Sequence, residues 1–324
     1  MYKGTNVLVA GGTGTIGIPL VKQLIKLGSN ITIASLEVQS RVDQIFGKDS
    51  QKIRFLRTDL TGEENCKLAV KEQDLVFNLV GIKGSVGIGE SKVASYLIPM
   101  LRFQTNLMEA SYNAGVKRFL FTGSVCEYPQ SELHIEDNVW NGLPKQNDRI
   151  PGIAKRVGEI LGEAFELEYG WDAVRVVRPS NVYGPFDDFN PKSAQVIPSL
   201  INRIVNASEE VRVWGDGSAI RDFIYSEDVA HWMIKALEHA PSNFPLNLGS
   251  GIGITIKDVA QKIVSIANPN CILNWDPSGP TGDPVRIMSM KRSEETLNFK
   301  QITDIDSGLE KTIAWFVENY SLIK

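Results

Sequence analysis

Residues 11–17 read GGTGTIG, and they lie between a short apolar run at residues 6–10 and an amphipathic stretch at residues 16–27. Few arrangements constrain a chain more. Gly11 permits a tight turn, Gly14 lets backbone approach a pyrophosphate, and Gly17 lets a helix pack closely on the strand before it. The helix N-terminus then offers unpaired N–H groups and the positive end of its dipole to phosphate. A glycine triplet alone is weak evidence. Set between strand and helix near residue 1, it predicts a dinucleotide site built from Gly11, Thr13, Gly14, Thr15, Ile16 and Gly17.

Further apolar runs occur at residues 31–35, 53–57, 75–79, 118–122 and 173–178, and helical patterns at residues 93–114 and 153–169 stand among them. Strand–helix alternation of this kind builds a parallel sheet with helices on both faces. Ligands of such sheets sit outside the carboxyl ends of the strands, where the strand order reverses. The expected fold is therefore α/β: a Rossmann-type doubly wound parallel sheet with a smaller mixed α/β substrate lobe. Past Pro179 proline and glycine become frequent, and helical patterns at residues 198–204, 228–238, 256–267 and 307–320 mix with short strands. Residues 1–180 read as a dinucleotide-binding domain. Residues 181–324 read mainly as a substrate-binding lobe, with segments near 220–248 returning to the first domain.

The second strand ends Ala34-Ser35-Leu36, without the carboxylate that accepts hydrogen bonds from a ribose 2′-OH. Glu37 is a loose substitute. No arginine lies in the glycine loop to hold a 2′-phosphate, although Arg41 is near, so NAD is favoured and NADP left open. Asp59 and Leu60 suit the adenine end; Asp59 also suits a helix N-cap, and the two roles are compatible. Ser35, with Leu79 and Pro179 at two further strand ends, completes the expected cofactor contacts.

Net charge is −4, which gives no bulk attraction to nucleic acid or membrane. No apolar run reaches the roughly 18 residues of a membrane span. The N-terminus runs straight into a strand and leaves no room for a signal peptide. Cys66, Cys126 and Cys271 match no metal-ligand spacing and imply no disulfide framework, and the three histidines are scattered. The expectation is a cytoplasmic protein with no metal.

The stretches GVKRFLFTGS (115–124), RPSNVYGP (178–185), VWGDGSAIRDFIYSED (213–228) and NLGSG (247–251) join the glycine loop in a resemblance that covers nearly the whole chain. It is to the extended short-chain dehydrogenase/reductase family of nucleotide-sugar epimerases, dehydratases and reductases. The chain looks most similar to the GDP-fucose-synthase-like branch of GDP-sugar enzymes. GSVCEYP (123–129) resembles that branch's GSSCIYP, NVYGPFDDFNPKSAQVIP (181–198) its NLYGPHDNF-PENSHVIP, and GDPVRIM (282–288) its late G-T-P-R-K-L.

The resemblance implies a Ser/Thr, a Tyr and a Lys for hydride chemistry, with Tyr and Lys four residues apart on one helix. Ser124 and Lys155 match, but Pro151 stands where the Tyr belongs. The branch's cysteine is kept as Cys126, whereas Gln195 replaces its second acid, a histidine. That replacement weakens an epimerase reading, and Val125-Cys126 after Ser124 weakens a 4,6-dehydratase reading. Proline is favoured in a helix's first turn, so the fold tolerates Pro151. The implied activity is NAD-dependent oxidation or reduction of a sugar carbon, C4, of a GDP-linked hexose or heptose in surface-polysaccharide biosynthesis, a GDP-manno-heptose dehydrogenase being one form. The alternatives are an epimerase with retained cofactor and a non-catalytic NAD-binding sensor or scaffold.

For the substrate, the resemblance implies Arg221 and Arg286 at the pyrophosphate, where guanidinium groups form paired hydrogen bonds. It places Asn181 near the sugar, Lys192 and Val196 at the base with Gln195 beside them, and Lys83 and Ser85 in a loop near cofactor and sugar. Trp214 suits either the nucleotide or a core contact. Relatives pair through two long helices, so residues 93–114 and 153–169 are expected to form a homo-oligomer interface.

Overall fold

The structure, a computed structural model, describes residues 1–82, 93–278 and 283–323. Seven strands form one sheet: β1 (Asn6–Ala10), β2 (Asn30–Ser35), β3 (Ile53–Arg57), β4 (Leu75–Asn78), β5 (Arg118–Thr122), β7 (Val174–Pro179) and β11 (Leu246–Leu248). Their order is β11-β7-β5-β4-β1-β2-β3, every pairing parallel. The chain runs outward from β1 in one direction through β2 and β3, and in the other through β4, β5, β7 and β11. The order therefore reverses between β1 and β4, which is where a doubly wound sheet binds its ligand.

Alternation along the strands sends side chains to opposite faces. Val7, Val9, Ile31, Ile33 and Phe77 meet α1 (Gly17–Lys26), α2 (Gln39–Phe46) and α7 (Ser226–His239). Leu8, Val76, Phe119, Phe121 and Val176 meet α3 (Glu63–Val70), α4 (Val93–Asn113) and α5 (Arg149–Tyr169). A Cβ at Gly158 of α5 would collide with the Phe121 ring, and one at Gly152 would strike the Cys126 carbonyl oxygen. Glycine at these points lets α5 lie flush against β5 and the turn after it.

Pro151 falls in the first turn of α5, which begins at Arg149, ahead of the helical pattern at residue 153. The first four N–H groups of a helix have no intrahelical partner, so proline there forfeits no hydrogen bond. A third core gathers Ile197, Ile201 and Ile204 of α6 (Val196–Val205), Val259 and Ile263 of α8 (Ile256–Ala267), and Leu309, Ile313 and Phe316 of α9 (Ile305–Ile323). These pack on a five-stranded mixed sheet of β6 (Leu133–His134), β8 (Asn181–Tyr183), β10 (Ile220–Tyr225), β12 (Gly253–Thr255) and β14 (Val285–Met288), and on the ribbon of β9 (Glu210–Trp214) with β13 (Ile272–Asp276). Among the described residues, no helix is long and apolar enough to cross a membrane.

Candidate active site

The glycine loop follows β1 at the point of strand reversal. Gly11 has φ +81°, and Gly14 N–H donates to its carbonyl at 3.1 Å. A Cβ on Gly17 would strike that same carbonyl oxygen and lie 2.7 Å from Gly12 Cα. On Gly11 it would lie 3.1 Å from the carbonyl carbon of Leu79, the residue after β4. Backbone thus fills the space side chains would take, and the α1 N-terminus opens onto the turn. These features fit a dinucleotide pyrophosphate. Gly17→Ala forces the turn apart at a cost of roughly 1–3 kcal/mol. Calorimetric titration is expected to show dinucleotide affinity falling about tenfold or more; binding as tight as wild type would remove the turn from the site.

Thr13 Oγ1 and Ser35 Oγ share a hydrogen bond of 2.8 Å, tying the loop to the end of β2. Glu37 is exposed, its N–H bonded to Ser35 Oγ at 3.2 Å. Arg57 is the register partner of Ser35. It was not singled out from sequence, because only the β2–β3 pairing places it beside Ser35. Asp59 Oδ1 accepts from Thr61 N–H at 2.9 Å, forming a turn ahead of α3, whose N-cap is Gly62. Leu60 is buried, Thr15 Oγ1 donates to Asp187 at 3.1 Å, and Ser180, after Pro179, is held by the Leu248 carbonyl.

Beyond β5 the chain enters a short turn at Val125–Glu127 capped by Ser124, whose Oγ accepts from Cys126 N–H at 3.2 Å. The Lys155 ammonium, reaching from α5, donates to the Thr122 carbonyl at 2.7 Å. Burial pushes its pKa down to about 8, against the pull of Glu127, Cys126 and Glu159. Such a group changes charge near neutral pH, as proton-handling side chains must. Burial pushes the Cys126 thiol up to about 12, Asp148 adding to the rise and Arg286 opposing it. At neutral pH it is a thiol.

Beneath Ser124 lies a buried charge cluster. Arg178 forms a two-point ion pair with Glu159, at 2.8 and 2.6 Å, and also donates to Tyr128 Oη and the Glu136 carbonyl. Glu127 accepts from Ser124 N–H at 2.5 Å and lies 3.5 Å from Arg178. Burial and the neighbouring Glu159 raise its pKa well above the ordinary carboxyl value, Arg178 opposing. The resembling segment GSSCIYP has isoleucine where Glu127 stands, a departure legible in sequence but without meaning until Arg178 and Glu159 are placed around it.

Arg221 and Arg286 are register partners on the parallel pair β10 and β14, so their side chains leave on one face. Arg221 donates to the Asp283 carbonyl at 2.7 Å, and Arg286 pairs with Asp148 at 2.6 Å. Burial lowers the Arg221 pKa, and Arg286 beside it adds to the fall. Two adjacent, partly desolvated guanidinium groups match a diphosphate. Asn181 is held to the Asp222 carbonyl at 2.8 Å. Lys192 and Gln195 are exposed and Val196 half-buried at the start of α6, while Trp214 is 68 % exposed on the β9–β13 ribbon. The structure thus gathers Ser124, Cys126, Lys155 and Arg286, and leaves Trp214 at the surface. Lys83 and Ser85 lie outside the described residues.

Comparison with known proteins gives one answer at several levels. Over 98 % of its length the chain is 29 % identical to a probable GDP-L-fucose synthase 1 of Oryza sativa subsp. japonica, of which 93 % is covered. It is 28 % identical to a dTDP-4-dehydro-6-deoxy-D-allose reductase of Streptomyces bikiniensis, covering 97 % of each chain. The solved UDP-glucose 4-epimerase of Thermotoga maritima superposes with a TM-score of 0.85 at 26 % identity, over 98 % of this chain and 100 % of that one. The profile of one family matches residues 7–249, from β1 to just past β11. On that match, and on a sheet and glycine turn of the kind such a family needs, the chain belongs to the NAD dependent epimerase/dehydratase family.

Proposed function

We propose that this protein is an NAD(P)-dependent oxidoreductase acting at C4 of a GDP-linked hexose or heptose. The observation that carries the reading is that Ser124 caps the turn after β5 while Lys155 of α5 reaches the Thr122 carbonyl at the end of that strand, with Arg286 acting on the neighbouring Cys126 thiol. The GDP-L-fucose synthase and dTDP-sugar reductase relatives support nucleotide-sugar chemistry, the former also the guanine base. A dinucleotide held by the glycine turn would supply the hydride acceptor or donor for the sugar carbon. The chain's own part is to grip the diphosphate through Arg221 and Arg286, hold the sugar oxygen at Ser124 Oγ, and supply positive charge and a proton site at Lys155 Nζ. Sequence favours NAD. Ser35, however, carries no charge to repel a 2′-phosphate, and Arg57 beside it attracts one, so NADP is accepted as well. Exposed Val157, Ile160 and Leu167 on α5 support pairing of two copies through that helix.

Pro151 favours a second reading, a protein that binds cofactor and sugar nucleotide without turnover. The two separate when the protein is mixed with NAD or NADP and a panel of GDP-, UDP- and dTDP-sugars, and with reduced dinucleotide and the matching 4-keto sugars. A change in reduced-nicotinamide absorbance with a GDP-sugar is expected. Tight binding with no absorbance change and no altered sugar would leave the non-catalytic reading standing.

A further inference from the structure

Asp148 is a carboxylate at the site with no part in the function proposed so far. It ends a tight turn (Gln146–Asp148) and leads into α5 in helical conformation, with φ −100° and ψ −1°. Residues 148, 151 and 155 follow at steps of three and four, so they share one face. Helical side chains lean toward the helix N-terminus, so a long side chain at 151 would lie over the turn that holds residue 148. A carboxylate on that turn occupies the ground a phenol rooted at 151 would cover.

The surroundings agree. Asp148 Oδ2 lies 2.6 Å from Arg286 Nη2, its side chain 20 % exposed. The same carboxylate adjoins the Cys126 thiol, and the Cys126 carbonyl packs on Gly152, next to the proline. Other candidates are committed elsewhere. The Tyr96 hydroxyl donates to the Ile82 carbonyl at 2.7 Å, and Tyr128 is buried against Asn247 and Arg178.

We propose that Asp148 is the acid–base group that takes the place of the missing tyrosine. In oxidation, the alcohol O–H bond breaks and its proton forms a new O–H bond on an Asp148 carboxylate oxygen. The electron pair of the carbinol C–H bond leaves as hydride to the oxidised dinucleotide, and a carbonyl remains; reduction is the reverse. Substrate arrival prepares the step, because a diphosphate on Arg221 and Arg286 competes with Asp148 for the Arg286 guanidinium. The proposal rests on the oxidoreductase reading above.

Two measurements test it on the intact protein. The first needs no turnover: alkylation of Cys126 by iodoacetamide, followed by peptide mass spectrometry. Only the thiolate reacts, and a neighbouring anion disfavours it. Asp148→Asn is therefore expected to label Cys126 several-fold faster; an unchanged rate would separate the two groups and overturn the proposal. The second is single-turnover hydride transfer with a sugar nucleotide that the wild type uses. Asp148→Asn should slow it by roughly 10²-fold or more, Asp148→Glu should keep most of the rate, and Pro151→Tyr added to Asp148→Asn should restore about a tenth or more of it. A wild-type rate in Asp148→Asn overturns the proposal. So does a loss that Pro151→Tyr leaves uncorrected while calorimetry shows weakened GDP binding, since Asp148 would then only tether Arg286. A wild type silent with every sugar nucleotide would instead bring down the oxidoreductase reading itself.

Discussion

Lys155→Met is expected to slow hydride transfer by roughly 10²–10⁴-fold, the usual contribution of a positioned proton-handling group. The methionine fills similar space, but it removes the positive charge and the donor that meets the Thr122 carbonyl. The pH dependence is a sharper check. With a pKa pushed down to about 8, Lys155 loses its proton as pH rises through that value. The wild-type kcat/KM profile should carry an ionisation there, and the methionine variant should lack it. Stability should move the other way. The unfolded lysine holds its proton up to about pH 10.5. The unfolded chain therefore binds more protons between about pH 8 and 10.5, and wild-type stability rises across that window. Below it the buried charge costs on the order of 3 kcal/mol, so at neutral pH Lys155→Met should be slower by that factor yet more resistant to urea. A variant with full activity would remove Lys155 from the chemistry.

Arg178→Met should destabilise the fold by about 3–5 kcal/mol, the range for breaking a buried ion pair from one side. Arg178 is 1 % exposed, and its loss leaves Glu159 without its two-point partner and Glu127 beside a second carboxylate. Arg178 opposes the rise in the Glu127 pKa, so without it that carboxyl takes up a proton more readily and the deficit should shrink as pH falls. Urea titrations of wild type and variant at neutral and mildly acidic pH measure both effects. A loss under about 1 kcal/mol would mean the cluster is solvated or rearranges freely.

Much of the architecture was readable because its signals are local. The GGTGTIG turn, the apolar strands around it and the flanking helical pattern each lie within a few residues, and the parallel sheet follows from their alternation. Helix boundaries were less readable: α5 starts at Arg149 because a proline in its first turn breaks no hydrogen bond. Arg221 and Arg286 were named individually, yet their adjacency comes from the register of β10 with β14. Asp148 carried no signal, since the Arg286 that marks it arrives 138 residues later. Arg57 and Glu127 were hidden for the same reason, their meaning set by partners on other elements.

The close seating of α5 on β5 bears on how such a site changes over generations. Gly152 and Gly158 position that helix through close approach to the Cys126 carbonyl and the Phe121 ring. Proline in the first turn forfeits no backbone hydrogen bond, so the helix itself does not demand one particular side chain at residue 151. A lineage could therefore exchange the side chain at that position without breaking the helix, leaving selection to act mainly on chemistry.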